Sequence, residues 1–413
     1  MLKKKKHLDL QQLPEHVVLS ILCRLPVKSL IRFTCVSKRW RYVIISDHQF
    51  GNSHFQLAAS QLRHNVLISR SPDYISEGTQ FQSLEDNFSI KNLTCPFQRC
   101  STIQVMGSCN GLVVLANFHP NVLSYWPCCL RDRYNILVMR NPSTGFFRKI
   151  PYPNFQIGSK KWTLEYKKIQ VYYGFGQVSA SDDYKLVVIL NYGGFMEVRV
   201  FSVRANCWKV VKAPYLSPYR PWSEELGTYS NGAIHWVSLH EPGFLEPPVY
   251  AFDLANEEFR EMPLPVLSHN EYGMKMTQTR TPVLLGGCLC VMFQDAEKNS
   301  EFWAMKEYGL PESWVKLFGF KLRDLPDVFN SFFSVFFWNP IFIAEDGTVV
   351  IKVPSKMEVI RFKCRKEEKP VCTDRYRLEE LLPCKDDNDP CNHKKKYLFS
   401  AILYDETLVS IPE

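Results

Sequence analysis

The chain has 413 residues, 46% of them hydrophobic and 22% charged. That composition excludes a disordered polymer and leaves room for one large domain plus a small module. The formal net charge is +8, but residues 1–50 hold six Lys and four Arg against Asp9, Glu15 and Asp47, so they carry +7 and the rest of the chain only +1. A nucleic-acid-binding large domain is therefore not expected, and an acidic partner is expected at the N-terminal end.

The most apolar stretch, Ser331–Ala344, is too short to span a bilayer and is broken by Asn339-Pro340, so no membrane association is expected. Lys3–Lys6 are followed by Asp9, Gln11, Gln12 and Pro14 rather than by an apolar run, which argues against a secretory signal. The expected location is cytoplasmic or nuclear. The 14 Cys fit that compartment as reduced thiols, and Cys23, Cys35, Cys288 and Cys290 sit in apolar runs as small hydrophobes. Cys384, Cys391 and His393 lack a C-x-x-C pair, so a solvated loop is expected there, with no metal and no cofactor.

In chain order, residues 1–12 read as a basic tail and residues 13–50 as three short helices. Pro14 suits a first helical position and Glu15 the positive helix end. Val17, Val18, Ile21, Leu22 and Leu25 recur at helical spacing, and Pro26 stops that helix. A second helix is predicted from Val27 to Cys35. A third is capped by Ser37 and carries Lys38, Arg39 and Arg41 around Trp40, Val43 and Ile44. So few residues cannot bury this much apolar surface among themselves, so either the large domain or a partner must cover it.

The run Leu13-Pro14-Glu15-His16-Val17-Val18, then Ile21-Leu22-x-x-Leu25-Pro26-Val27-Lys28-Ser29-Leu30, then Val36-Ser37-Lys38-Arg39-Trp40, resembles the F-box of plant F-box proteins. The resemblance implies docking on an acidic Skp-type adaptor and, through it, on a cullin. It assigns adaptor contacts to Leu13, Pro14, Val18, Ile21, Leu22, Leu25, Pro26 and Leu30, with Lys28 and Arg32 at a polar rim. Trp40 is expected to pack the helices together.

From residue 51 to 413 helical periodicity nearly vanishes, and short apolar strands alternate with turn signals. Asn110-Gly111, Asn231-Gly232, Gly286-Gly287 and Asp346-Gly347 each open an apolar strand, and Asp183-Tyr-Lys-Leu-Val-Val188 fills the gap without its Gly. Downstream, Met139–Phe146, Phe201–Trp208 and Phe252–Phe259 share one length. Trp303–Trp314 and Val359–Phe362 repeat the theme in longer and shorter form, and Phe201, Phe252 and Trp303 are each 51 residues apart. A period near 50 with about four strands per unit predicts a β-propeller. Five units fall between residues 100 and 380. A sixth is expected to close the ring by pairing Tyr397–Tyr404 with Val66–Arg70. A β-sandwich is the alternative. The predicted class is thus mainly β with a small α N-terminal module: a three-helix F-box followed by a propeller-like domain of about six blades.

Gly107-Ser-Cys-Asn-Gly-Leu112, Arg140-Asn-Pro-Ser-Thr-Gly145, Tyr173-Gly-Phe-Gly176 and Asp182-Asp-Tyr-Lys-Leu186 resemble recurring phrases of the F-box-associated domain. That likeness implies binding of a target protein without saying which. No catalytic residue is assigned. Gly174-Phe-Gly176 lacks the third Gly of a dinucleotide fingerprint, and there is no P-loop, H-E-x-x-H or G-x-S-x-G. His235 alternates with apolar neighbours as a structural histidine would, and Asp182-Asp183 reads as a turn. The expected function is substrate recognition in an SCF-type cullin ubiquitin ligase, without catalysis by this chain. The alternatives are an adaptor-bound scaffold or assembly factor, and a propeller-fold hydrolase.

Overall fold

A computed structural model describes residues 13–58, 64–71, 80–97, 102–118, 134–155, 170–192, 195–212, 226–237, 249–265, 278–285, 287–294, 299–321, 324–325, 338–344, 346–353, 356–364, 369–378 and 398–411. The basic tail 1–12, Lys394–Lys396 and the Cys384, Cys391 and His393 group lie outside the described residues.

Four helices come first: α1 (Glu15–Leu22), α2 (Val27–Phe33), α3 (Lys38–Ser46) and α4 (His48–Ala58). Pro14 and Pro26 stand just before α1 and α2, with φ near the helical value and extended ψ, and their carbonyls accept the first helical bonds, from Val17 and Ser29 at 2.9 Å each. Both are well placed there because a helix's first turn has no carbonyl to receive their missing N–H. Ser37 caps α3, its Oγ accepting from the Trp40 N–H at 3.1 Å. Asp47 caps α4, its Oδ1 accepting from the Gln49 and Phe50 N–H groups at 2.9 and 3.1 Å. The predicted second helix ends two residues earlier than expected, and α4 was not expected at all.

Six four-stranded blades follow. The first uses β1 (His64–Ser71), β2 (Gln80–Leu84) and β3 (Ile90–Asn92). The second is β4 (Thr102–Cys109), β5 (Leu112–Phe118), β6 (Tyr134–Arg140) and β7 (Phe147–Ile150). The third is β8 (Gln170–Val178), β9 (Asp183–Tyr192), β10 (Phe195–Ser202) and β11 (Cys207–Val211). The fourth is β12 (Thr228–Ser230), β13 (Ala233–Val237), β14 (Val249–Asp253) and β15 (Glu258–Met262). The fifth is β16 (Gln278–Leu285), β17 (Cys288–Gln294), β18 (Asn299–Met305) and β19 (Trp314–Lys321). The sixth is β20 (Asn339–Ile343), β21 (Thr348–Val353), β22 (Glu358–Lys363) and β23 (Val371–Arg377). The last strand, β24 (Leu398–Asp405), completes the first blade, pairing antiparallel with β1 from His64↔Asp405 to Ser71↔Leu398. The chain's two ends therefore close the ring as the sequence predicts. Fifth and sixth blades touch through one parallel bridge, Leu285↔Ile343.

The repeat has a direct physical cause. Each second strand is buried on both faces, so it reads as a continuous apolar run rather than an alternating one. In β9, Leu186, Val188 and Leu190 pack toward the second blade, while Val187 and Ile189 pack toward the fourth. In β17, Leu289, Val291 and Phe293 face one seam and Cys290 and Met292 the next. Each of the six seams between blades holds its own apolar cluster, including the seam between the first and sixth blades, where Val66 and Ile68 meet Val350 and Val359. The length-matched motifs are third strands and their turns, with Phe201 set against Trp208 at 5.2 Å and Phe252 against Phe259 at 4.7 Å. Between β4 and β5, Asn110 and Gly111 have φ of 51° and 78°, the left-handed pair a two-residue hairpin needs.

Candidate functional site

The helices form a small core of their own. Leu22, Val27, Leu30, Val43, Ile44 and Phe50 are buried together, joined by Leu408 from the segment after β24. Trp40 packs at its margin, edge to face with Phe33 at 5.8 Å, as expected of a residue that ties the helices together. The inner part of the apolar surface is thus covered partly by the helices themselves and partly by the large domain.

The residues assigned to an adaptor are placed unequally. Leu13 and Ile21 are 48% and 50% exposed, and Pro14 and Pro26 are also exposed. Val18 and Leu25 are half-buried. Leu22 and Leu30 are 2% and 0% exposed, so in this structure they support the module from inside rather than present a surface. The sequence stripe could not separate these classes, because Ile21 and Leu22 are neighbours and only the folded core of Val27, Leu30, Val43, Ile44, Phe50 and Leu408 decides which one turns inward. Arg32 is exposed. Lys28 departs from a free rim charge: its Nζ donates to Glu85 Oε1 at 2.6 Å, in the turn between β2 and β3. That hydrogen bond holds the Glu85 carboxyl below its ordinary range. Val36 and Tyr42, to which the sequence assigned no adaptor contact, are 61% and 56% exposed and add apolar surface to the helical module. Arg39 is paired with Glu15.

The helices sit at one end of the ring, the end that carries the turns from first to second and from third to fourth strands. Three contacts fix this: Lys28 with Glu85, Leu408 just beyond β24, and the His48 Nδ1–Ser410 Oγ contact at 2.7 Å.

A cavity of about 300 Å³ runs among the inner strands, lined by Ser108, Cys109, Asn110, Thr228, Lys352 and Asp405, among others. Burial pushes the Cys109 thiol well above its ordinary value, so it stays protonated at neutral pH and is a poor nucleophile. His235 is fully buried between the Thr228 carbonyl at 3.0 Å and the Tyr308 hydroxyl at 2.8 Å, and burial lowers its pKa to about 4. It is a neutral structural bridge between the fourth blade and the β18–β19 connection. Asp183 is likewise structural, accepting from Ser202 Oγ at 2.6 Å and from the Arg204 N–H at 2.9 Å. Among the described residues no group of three or more His, Cys, Asp or Glu could hold a metal ion, and no helix is long and apolar enough to cross a membrane.

The chain is thus a mainly β six-bladed propeller with a four-helix module that leaves apolar side chains facing outward. Residues 10–50 match the F-box domain and residues 80–373 the F-box associated beta propeller domain. F-box protein CPR1 of Arabidopsis thaliana is 28% identical over 326 residues, covering 74% of this chain and 72% of CPR1. F-box protein At3g07870 of the same plant is 29% identical over 330 residues, covering 74% and 72%. F-box/kelch-repeat protein At3g23880, also from Arabidopsis thaliana, is 25% identical over 358 residues, covering 82% and 84%. The chain belongs to the F-box proteins with an F-box associated β-propeller domain. Membership supports a general substrate-recognition role in an SCF complex, in which the F-box binds a Skp-type adaptor. F-box proteins are generally non-catalytic in that role.

Proposed function

We propose that this chain anchors on a Skp-type adaptor, and through it on a cullin, by the exposed side of α1 and its flanking prolines, and that the propeller holds a target protein for ubiquitination. Leu13, Pro14, Ile21 and Pro26 form the anchor, Val18 and Leu25 flank it, and Leu22 and Leu30 support it from within. Arg32 supplies rim charge, which acts more on association rate than on affinity. The carrying observation is the exposure of Leu13 and Ile21, 48% and 50%, on the side of α1 turned away from the packed helical core. Residues 1–12 form a basic tail, 13–50 the adaptor module and 51–413 the recognition domain, with α4 bridging the last boundary.

The target binds at the end of the ring away from the helices, because the helices and the segment after β24 occupy part of the other end. The chain contributes proximity: a ubiquitin-charged enzyme on the cullin arm meets target lysines at raised effective concentration. Capture assays with a plant Skp-type adaptor and cullin test the anchor. Wild type should retain both, and Ile21→Asp should retain neither. Equal capture by Ile21→Asp would place the adaptor interface elsewhere.

A further inference from the structure

Segment 406–411 follows β24 and belongs to no blade and no helix, yet its middle, residues 407–409, is buried. Thr407 is 0% exposed, and Leu408 and Val409 are 3% exposed each. Its polar groups are received by two of the phrases that make the sequence resemble its family. Thr407 Oγ1 donates to the Asn110 carbonyl at 3.1 Å, and the Thr407 N–H donates to Ser143 Oγ at 3.2 Å. The Asn141 side-chain amide donates to the carbonyls of both Thr407 and Val409, at 3.1 and 2.9 Å. Its other atom, Oδ1, accepts from the Ser143 and Thr144 N–H groups at 2.8 and 3.3 Å, which sets the amide's orientation. A Cβ on Gly111 would overlap Thr407 Oγ1, so the turn must be glycine for the segment to lie against it.

The side chains of this segment point to two different bodies. Leu408 enters the helical core with Leu22, Val27, Leu30 and Phe50, while Val409 enters the cluster between the second and third blades. Ser410 meets His48 of α4. A Cβ on Gly51 of α4 would come 3.0 Å from the Leu408 carbonyl oxygen, so the helix backbone lies close against the segment.

We propose that segment 406–411 is a positioning strap that fixes the orientation of the F-box on the propeller, with Asn110-Gly111 and Asn141–Ser143 as its receiving turns. Phe55 of α4 packs against the same cluster between the second and third blades. Alternating side chains, one into each body, supply the orientation, and the Lys28–Glu85 pair is a further point of contact. The consequence for ubiquitin transfer, a constant offset between adaptor and target, rests on the function proposed above. The strap itself does not.

The test uses the full chain, alone and with a Skp-type adaptor. Carbodiimide coupling joins an amine to a carboxylate only in direct contact, so the Lys28–Glu85 pair at 2.6 Å serves as a zero-length ruler of docking, scored by mass spectrometry. Wild type and Thr407→Ser should couple equally. Asn141→Ala and Leu408→Ala should lose coupling at least about fivefold, and small-angle scattering should show a longer maximum dimension. Adaptor capture should persist, which a general loss of folding would not allow. If Asn141→Ala melts the second blade, Leu408→Ala decides; if Leu408→Ala melts the helices, Thr407→Val, which touches neither core, decides. Unchanged coupling and scattering in a folded variant overturn the strap. Lost adaptor capture in a chain that still couples would count against the ligase function and not against the strap.

Discussion

Replacing Ile21 by Asp should abolish capture of a Skp-type adaptor while costing the fold only about 1 kcal/mol, the share of its buried half. The neighbouring change Leu22→Ala should instead act through stability, losing capture only as the module unfolds. Ile21 keeps 50% of its surface exposed, and Leu22 only 2%. Fully burying an isoleucine contributes about 1.5–3 kcal/mol, so the exposed half of Ile21 contributes about 1 kcal/mol when an adaptor covers it. Ile21→Ala should therefore weaken binding about fivefold to tenfold. The aspartate adds the cost of burying an unpaired carboxylate, several kcal/mol, enough to take binding below detection. Leu22→Ala leaves a cavity beside Val27, Leu30 and Phe50 and should cost about 3 kcal/mol. A module spanning residues 13–58 is stable by only about 2–7 kcal/mol, so that loss should melt much of it. Titration calorimetry against the adaptor, with circular dichroism melts of each variant, separates the two effects. If Ile21→Asp binds within about twofold of wild type, or if Ile21→Ala destabilises as much as Leu22→Ala, the division between contact and support is wrong.

Two histidines should give opposite pH signatures. His235, with its pKa lowered to about 4 by burial, is neutral in the fold, while the unfolded chain takes up a proton near pH 6.5. Stability should therefore fall as pH drops, by about 2 kcal/mol between pH 7.5 and pH 5. Urea midpoints should show this slope in wild type and a flatter one in His235→Gln. His64 has its pKa raised by the hydrogen bond to Asp405, 2.8 Å away where the ring closes. Its contribution is present below pH 6.5 and lost as pH rises through the raised folded value, so Asp405→Asn should remove a gain seen only on the acid side. The indole groups of Trp208 and Trp314 donate to the Pro151 and Pro263 carbonyls of the preceding blades at 2.7 and 2.9 Å. Trp208→Phe and Trp314→Phe should each cost about 1 kcal/mol in denaturant unfolding.

What is legible in the sequence is what depends on near neighbours. The Asn110-Gly111 and Asn231-Gly232 turns need left-handed backbone, so their residue types declare them. The doubly buried second strands declare themselves as unbroken apolar runs such as Leu186–Leu190. Ring closure is legible because a lone apolar strand at each end of a repeat array needs a partner. Helix α4 is not legible from its pattern: Gly51, Asn52 and Ser53 interrupt it, and much of its helical state depends on packing with Leu408 and the propeller. The Asp47 cap was the available signal. Nor could the stripe on α1 reveal that Leu22 faces inward and Ile21 outward, since both are large and aliphatic. Lys28 looks like any solvated charge until Glu85, 57 residues away, is folded against it.

Many residues of the phrases that make this chain resemble its family are used inward. A Cβ at Gly107 would strike Phe175, one at Gly174 would strike Ile234, and one at Gly176 would strike Tyr229, so these glycines permit close packing between blades. Arg140 is 5% exposed, donates to the Thr94 carbonyl at 2.5 Å and covers the Phe81 ring at 5.7 Å, holding the first blade to the second. Asn110, Gly111, Asn141 and Ser143 receive the segment after β24. Side chains committed in this way cannot also read a target. On the function proposed above, target choice falls to residues outside these phrases. Gly174→Ala should lower the melting temperature sharply, because a methyl group there overlaps a buried isoleucine and tryptophan rather than solvent. In whatever fraction remains folded, it should leave the set of captured target proteins unchanged. A folded Gly174→Ala protein that captured a different set would mean that these phrases take part in recognition after all.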